Sequence, residues 1–460
     1  MESTNSESIN YQKRVFNHPS YRSSRQLPNN GSMAPILLAN SQTSVSFDLP
    51  AQCFNLSRSK LVFSLVCTPT TRGVTINACP TSLWDRVVLS TRGGLTLLDL
   101  PSAQFYGKMV SPASTSMEEY SGRSSGCSMN ANAATVTAYT TAASSQMDPI
   151  SGLAPSRTLT NGNFKVNSGA SQFALTEQRY AIRGVDVVAQ GNVLTPVSTS
   201  YAIPLSTLAK HTLLDIDKDL YFGEILTLTL VFAPYSSWVF EQDANFANVA
   251  ALGVAPVVSN FQFLLSLESN PVIVNALREK VASSDGFTMM TGYPLLQKTQ
   301  TGAAGMINSV MRVNRGQGSN ILRTYTSFFT GNNALTAGLD NSNVAGAVLS
   351  SYYTTTDGYR DSDFDYRYAD STDWLANRDL LVGSVVQARR MWDSSYVHIT
   401  DWSGQSPCRA DDTIITGLSM DHQTERQLAF TATVGAAGTL YVFTIMQKTL
   451  VLSGGQIMLV

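Results

Sequence analysis

Apolar residues recur at every second position along most of this chain, in runs of five to eight. That is the period of a strand with one buried face. The clearest run puts Leu226, Leu228, Leu230 and Phe232 on one side and Thr227, Thr229 and Val231 on the other, and Pro234 ends it. Val45, Phe47 and Leu49 alternate with Ser46 and Asp48, and Leu61, Phe63 and Leu65 alternate with Val62, Ser64 and Val66. Runs at 83–90 and 95–100 flank Gly93-Gly94, which predicts a tight hairpin turn with positive φ at both glycines. A second block opens with Phe261, Phe263, Leu265 and Leu267 on one face. Further strands are predicted near 178–189, 287–293, 321–329, 428–434 and 440–446. Gly435-Ala436-Ala437-Gly438 would join the last two as a hairpin. The apolar end, Ile457 with Met458, Leu459 and Val460, reads as a last strand or as a tail held by a neighbour.

One segment has a firm helical period instead. Asn270 suits an N-cap and Pro271 the first helical position. Ile273, Leu277 and Val281 then form a stripe at i, i+4 and i+8, while Arg278, Glu279 and Lys280 turn to water.

Many short strands without intervening helices imply antiparallel sandwiches rather than a parallel α/β sheet. The predicted fold is all-β: two tandem eight-stranded antiparallel jelly rolls, with one short helix near the start of the second. Jelly rolls suit blocks of this size because their two Greek keys leave connections that accept insertions. The predicted division is an N-terminal arm at 1–34, a first roll at 35–240, a connector at 241–256 and a second roll at 257–460. Long loops rich in Ser, Thr, Ala, Gly and Asn are predicted at about 106–163 in the first roll and about 330–380 in the second.

Charge changes the picture. Only 14% of the 460 residues are charged, against about 25% in a typical soluble domain. A surface so poor in charge is either small or largely covered by partners. The net charge of −2 gives no bulk attraction to nucleic acid or to an anionic membrane. The arm is only mildly basic, with Lys13, Arg14, Arg22 and Arg25 against Glu2 and Glu7, and it reads as a segment ordered by a partner. No sequence-specific nucleic-acid contact is expected. No apolar run reaches 18 residues, and the polar start lacks a signal-peptide core. The five cysteines form no C-x-x-C pair, so free thiols in a reducing compartment are expected.

Catalytic chemistry finds little to work with. The histidines, His18, His211, His398 and His422, are far apart, which predicts surface or interface roles. The aspartate ladders Asp215-x-Asp217-x-Asp219 and Asp361-x-Asp363-x-Asp365 lack the Gly and Glu of a calcium loop and read as the wet side of a strand or turn. Gly122-Arg123-Ser124-Ser125-Gly126 fits the nucleophile-elbow pattern but lacks the flanking strand and helix. No enzyme activity, catalytic residue, metal site or cofactor is expected. Tyr352, Tyr353 and Trp374 sit in an aromatic-rich stretch, of a kind that serves either as an interface core or as packing beneath a loop.

The order and spacing of segments carry a resemblance. In the first half they are Phe47-Asp48-Leu49-Pro50, then Asn55-Leu56-Ser57-Arg58-Ser59-Lys60-Leu61, Ile203-Pro204-Leu205 and Asp219-Leu220-Tyr221-Phe222-Gly223-Glu224. In the second half they are the helix after Asn270, Tyr293-Pro294, Asn314-Arg315-Gly316-Gln317-Gly318, Ser351-Tyr352-Tyr353-Thr354 with Asp357-Gly358, and 380–384. This succession resembles the double jelly-roll major capsid proteins of polinton-like viruses and virophages, and more distantly those of adenoviruses and large DNA viruses. The resemblance implies a homotrimer whose six rolls make a pseudo-hexameric capsomer. It further implies an icosahedral DNA-virus shell assembled inside the host cell, with penton and minor or cement proteins as further partners. A tandem jelly-roll carbohydrate-binding module is the alternative.

Overall fold

A computed structural model of the chain describes residues 22–29, 34–41, 43–68, 73–76, 83–116, 186–189, 197–242, 249–301, 305–315, 320–330, 347–360, 362–367, 372–384, 397–403, 417–419, 425–434 and 438–460. In chain order the first strands are β1 (Arg22–Pro28), β2 (Ile36–Leu37), β3 (Thr43–Leu49), β4 (Cys53–Cys67), β5 (Gly73–Ile76), β6 (Trp84–Thr91) and β7 (Thr96–Pro101). Helix α1 (Ala103–Ser114) follows, then β8 (Asp186–Ala189), β9 (Val197–Pro204), the single turn α2 (Leu205–Leu208), β10 (Leu220–Tyr221), β11 (Leu226–Phe232), β12 (Val239–Gln242), β13 (Val249–Ala251) and β14 (Val257–Glu268). Helix α3 (Pro271–Ala282) leads to β15 (Phe287–Thr301), β16 (Gly305–Arg315), β17 (Asn320–Thr330), β18 (Ala347–Thr356), β19 (Tyr359–Arg360) and β20 (Tyr366–Arg367). Helix α4 (Thr372–Arg378) precedes β21 (His398–Asp401), β22 (Leu418–Ser419), β23 (Glu425–Val434), β24 (Gly438–Ser453) and β25 (Gln456–Leu459).

The first roll is a sandwich built on period-two burial. One sheet runs β3-β11-β6-β7, and the other runs β1-β14-β4-β10 with β2 on β14 and β9 on β4. Register sets Phe47 opposite Leu228 and Val45 opposite Leu230, with Leu89 and Val87 on the far side of the same leucines. Residues opposite one another share a face, so these strands present one apolar surface. It meets the other sheet through rings: Phe47 lies 5.4 Å from Phe261 and 5.7 Å from Phe263, and Trp84 meets Phe63 edge-on at 6.4 Å. A smaller sheet, β13-β12-β5-β8, extends this roll.

The second roll pairs β15-β24-β17-β21, carrying β22 and β25, with β16-β23-β18-β19, carrying β20. Between the rolls runs α3, capped as its sequence demands. The Asn270 side chain accepts from the Val272 amide at 3.1 Å, and Ile273, Leu277 and Val281 are buried. A single buried apolar cluster extends from Leu27 in the first roll to Leu452 in the second.

Several expectations differ from what is observed. The strand expected to open the second roll, β14, is hydrogen-bonded to β4 and β1 within the first. Its alternation is the same whichever sheet it joins, and only the long-range pairing decides. Part of the expected arm, β1, is an edge strand on β14. The hairpin at Gly93-Gly94 exists, but only Gly94 has positive φ, at 91°. Thr91 pairs with Leu95 around a three-residue loop, so one left-handed residue suffices. The expected hairpin at 435–438 does not form: β23 pairs with β16 and β18, whereas β24 pairs with β15 and β17, so the chain crosses there from one sheet to the other.

The loop expected from 106 begins as the helix α1, and the loop expected over 330–380 contains β18 and α4. Residues 178–185 of one expected strand and the Gly122–Gly126 motif lie outside the described residues, as do Cys79, Cys127 and Cys408. Cys53 and Cys67 are buried.

Candidate functional site

The candidate contact residues fall into two groups on different rolls. Lys13 and Arg14 lie outside the described residues. Arg22 starts β1, where the register sets it opposite Glu268. Its guanidinium donates to both carboxylate oxygens of Asp219, at 3.1 and 2.9 Å, and lies 3.5 Å from Glu268. The Arg22 side chain is 15% exposed, Asp219 2% and Glu268 0%. Glu268 also accepts from the Asn270 amide at 2.8 Å, so the ion cluster is tied to the start of α3. Burial, followed by the nearby charges of Asp219 and Glu268, pushes the Cys53 thiol well above its ordinary range. Arg25 is exposed and donates to Gln52 at 3.3 Å. Sequence reading singled out Arg22 but missed its buried carboxylates, which are 197 positions away in the case of Asp219.

The second group lies on the second roll. Tyr352 on β18 is opposite Tyr366 on β20. The Tyr353 ring carries the Arg360 guanidinium 4.2 Å from its centroid, a cation–π contact. Arg360 also pairs with Asp365. Trp374 lies in α4. The same stretch exposes Tyr359, Phe364, Leu375 and Val382.

A third cluster, at the seam between the rolls, escaped sequence reading. Helix α1 lays Phe105 on Tyr441 of β24, with centroids 4.2 Å apart and stacked, and against Phe329 of β17 at 5.0 Å. Tyr106 meets Phe443 edge-on at 5.1 Å, and its hydroxyl donates to the main-chain oxygen of Lys210. At the end of α1, the Ser114 hydroxyl lies 2.7 Å from His211 Nε2, which is 2.9 Å from the Tyr325 hydroxyl. Burial, then the cations Arg323 and Lys210, hold the His211 imidazole well below its ordinary pKa.

A Ser–His contact raises the question of a nucleophile. Such a pair needs a third group to orient the imidazole. The neighbouring carboxylate, Asp215, instead accepts the His211 main-chain N–H at 3.1 Å and pairs with Lys210 at 3.5 Å. A neutral imidazole held between hydroxyls from both rolls is arranged as a clamp.

The other histidines and the aspartates also acquire partners. His398, expected at a surface or interface, is buried and contacts Asn377 at 3.0 Å. It lies on β21 beneath the Tyr366 ring. The first aspartate ladder is not simply a wet edge. Asp215, Asp217 and Asp219 each hold a cation, respectively Lys210, Arg58 and Arg22, and Asp219 is buried. Among the described residues, no three His, Cys, Asp or Glu side chains converge as a metal site would require. His18, His422 and Asp361 lie outside the described residues.

No protein-family model and no curated protein matches the chain. Solved structures do. A quasi-atomic model of the PBCV-1 virus capsid aligns with 95% of this chain and 96% of its own, at 10% identity and a TM-score of 0.56. The Faustovirus major capsid protein aligns over 94% of this chain and 90% of its own, at 10% identity and a TM-score of 0.56. The Sputnik virophage structure aligns over 95% of this chain and 88% of its own, at 10% identity and a TM-score of 0.52. The likeness spans nearly the whole of this chain and so takes in both rolls. This chain is a double jelly roll. In this double jelly roll, the seam built by α1, His211 and Tyr325 fixes one roll against the other, and the arm strand and the aromatic stretch lie on separate rolls.

Proposed function

We propose that this double jelly roll is the major subunit of an icosahedral virion shell of a DNA virus, acting by self-association rather than by catalysis. The observation that carries the reading is the likeness over 95% of this chain and 96% of the PBCV-1 capsid chain, end to end through both rolls. A fold shared at so low an identity is evidence of architecture, and function is argued from sites. The sites agree with a building block. The buried core is continuous between the rolls, the polar clusters are closed by internal partners, and few charges oppose close packing.

On this reading three copies form a homotrimer, and three pairs of rolls make a pseudo-hexameric block that packs beside like blocks. The protein then resides in the virion capsid. Penton and minor or cement proteins are its further partners, and the genome is enclosed without sequence-specific contact. Lys13, Arg14, Arg22 and Arg25 of the arm, and Tyr352, Tyr353 and Trp374 of the second roll, are its proposed contact regions. Arg22 acts by fastening the arm strand, since its charge is already engaged. The pairings favour a first unit that runs through β14 and a second that begins after α3. No observation favours the carbohydrate-binding alternative.

Sedimentation velocity at micromolar concentration tests the proposal. A species near three times the 49.7 kDa protomer is expected, and electron micrographs of it should show hexagonal blocks. Protomer alone at every concentration would overturn the proposal.

A further inference from the structure

The seam covers only part of one face of the second roll. In the β15-β24 pair, residues directly opposite share a face, so Gly292 and Gln447, Met290 and Thr449, and Thr288 and Val451 form successive rows. Phe443 and Tyr441 continue the same face on β24, where Tyr106 and Phe105 of the first roll cover them. At Gly292 the first roll still touches it, through the main chain of His211. Beyond Gly292 the face opens, with Thr288 and Met290 exposed.

The uncovered rows extend onto β25. Val451 faces Met458 in the β24–β25 register, and Thr449 exchanges main-chain hydrogen bonds with Val460 at 2.8 and 2.9 Å. Two rows therefore cross three strands: Thr288–Val451–Met458 and Met290–Thr449–Val460. Met290 is 39% exposed, Met458 43% and Val460 69%, and none of the six side chains is charged.

A sheet face left to water carries polar residues. The first roll does this. The outward residues of β3, β11 and β6 are mostly polar, Ser44, Ser46, Asp48, Thr227, Thr229, Arg86 and Ser90 with Val88 and Val231 among them, and Thr227 donates to Asp48 across the strands at 2.9 Å. The outward rows of the second roll instead carry Met290, Val451, Met458 and Val460, with Thr288 and Thr449 as their polar members. The contrast within one chain, together with continuity with a face that another roll already covers, points to cover by a like surface.

We propose that this face of β15, β24 and β25 is an interface with a second copy of the chain, whose surface extends the cover that the first roll begins. The inference rests on the self-assembly reading and names the surface used. The test places a photo-activated cross-linking residue at Met458 in the full chain, beside a Met458→Asp variant. In oligomer isolated by sedimentation, irradiation should yield a chain-to-chain adduct. M458D should weaken self-association by about tenfold or more while its thermal midpoint stays within a few degrees of the parent. Oligomer with no adduct at position 458 and undiminished association in M458D would overturn this inference alone. Protomer in every preparation would overturn the assembly reading with it. If M458D fails to fold, the adduct at position 458 decides.

Discussion

The main-chain oxygen of His211 lies so close to Gly292 that a β-carbon built there would come within 2.0 Å of it. His211 belongs to the first roll and Gly292 to β15 of the second, so the contact is a place where the rolls meet backbone to backbone. The methyl group of Ile445, 2.9 Å from the same point, leaves no sideways escape. Gly292→Ala must push the rolls apart or bend β15. Overpacking of this kind costs about 1–3 kcal/mol, occasionally more. Urea unfolding should show a loss of at least about 2 kcal/mol. A loss under about 0.5 kcal/mol, the range of ordinary surface changes, would mean that the seam yields freely.

Arg22 contacts both Asp219 and Glu268 and so ties β1 to two buried carboxylates. Besides its ladder on β14, β1 buries few side chains, since only Leu27 of its seven residues is buried. Removing one member of a buried ion cluster costs about 3–5 kcal/mol, because the remaining charge is left uncompensated. Arg22→Ala should therefore destabilise the protein by about 3 kcal/mol and free β1 first. Hydrogen exchange should show β1 amides losing protection before those of β4. Equal loss in both strands would mean that β1 is fastened by its main-chain ladder alone.

The seam should respond to acid through His211. The groups facing it are the hydroxyls of Ser114 and Tyr325, the cations Arg323 and Lys210, and the carboxylate of Asp215, with Asp401 neutralising Arg323 from 2.5 Å. Its folded pKa is depressed, chiefly by burial and then by those cations. Above the unfolded value, about 6.5, neither state binds the proton and the histidine is neutral to stability. Below it the unfolded chain takes up the proton and the folded chain does not. Stability then falls as pH falls, by at most about 1.4 kcal/mol per unit, until the folded pKa is reached. Denaturation from pH 7.5 to 5 should show this slope in the parent, and His211→Gln should remove it. An unchanged slope in H211Q would assign the acid response to other groups.

What the sequence discloses follows from how local each signal is. β11 was legible because one face is buried and the other wet, which writes a period of two into Leu226–Phe232. α3 was legible because cap, proline and stripe all fall within Asn270 to Val281. α1 was not. Its buried Ala103, Tyr106, Met109, Val110 and Ala113 do lie on one helical side, but Gly107 and Pro112 interrupt it, and Ser102 supplies no side-chain cap. Packing on the second roll overrides that poor propensity. Partner choice is less legible still. β14 carries the same alternation whichever sheet receives it, and a short glycine-bearing link at 435–438 serves a hairpin or a crossing equally well. The clusters at Arg22 and His211 join residues more than ninety positions apart, beyond the reach of any local pattern.

Phe105 offers the sharpest test of what holds the two rolls together. It belongs to α1, which follows β7 in the first roll, yet its ring stacks on Tyr441 and meets Phe329, both in the second. Its truncation therefore falls on the docking of the rolls rather than on either core. A fully buried Phe→Ala change costs about 3–5 kcal/mol, and Phe105, being half-buried, should cost about 2–3 kcal/mol. Docking is what makes the rolls unfold together, so weakening it should uncouple them. Calorimetry of Phe105→Ala should show the parent's transition broadening or splitting into two. Leu228→Ala, in the core of the first roll and remote from these rings, should lower the midpoint at comparable cost without uncoupling. If both variants keep one sharp transition, the rolls are coupled mainly through the contacts of His211 with Tyr325 and Gly292 and through α3, and Phe105 only covers a face.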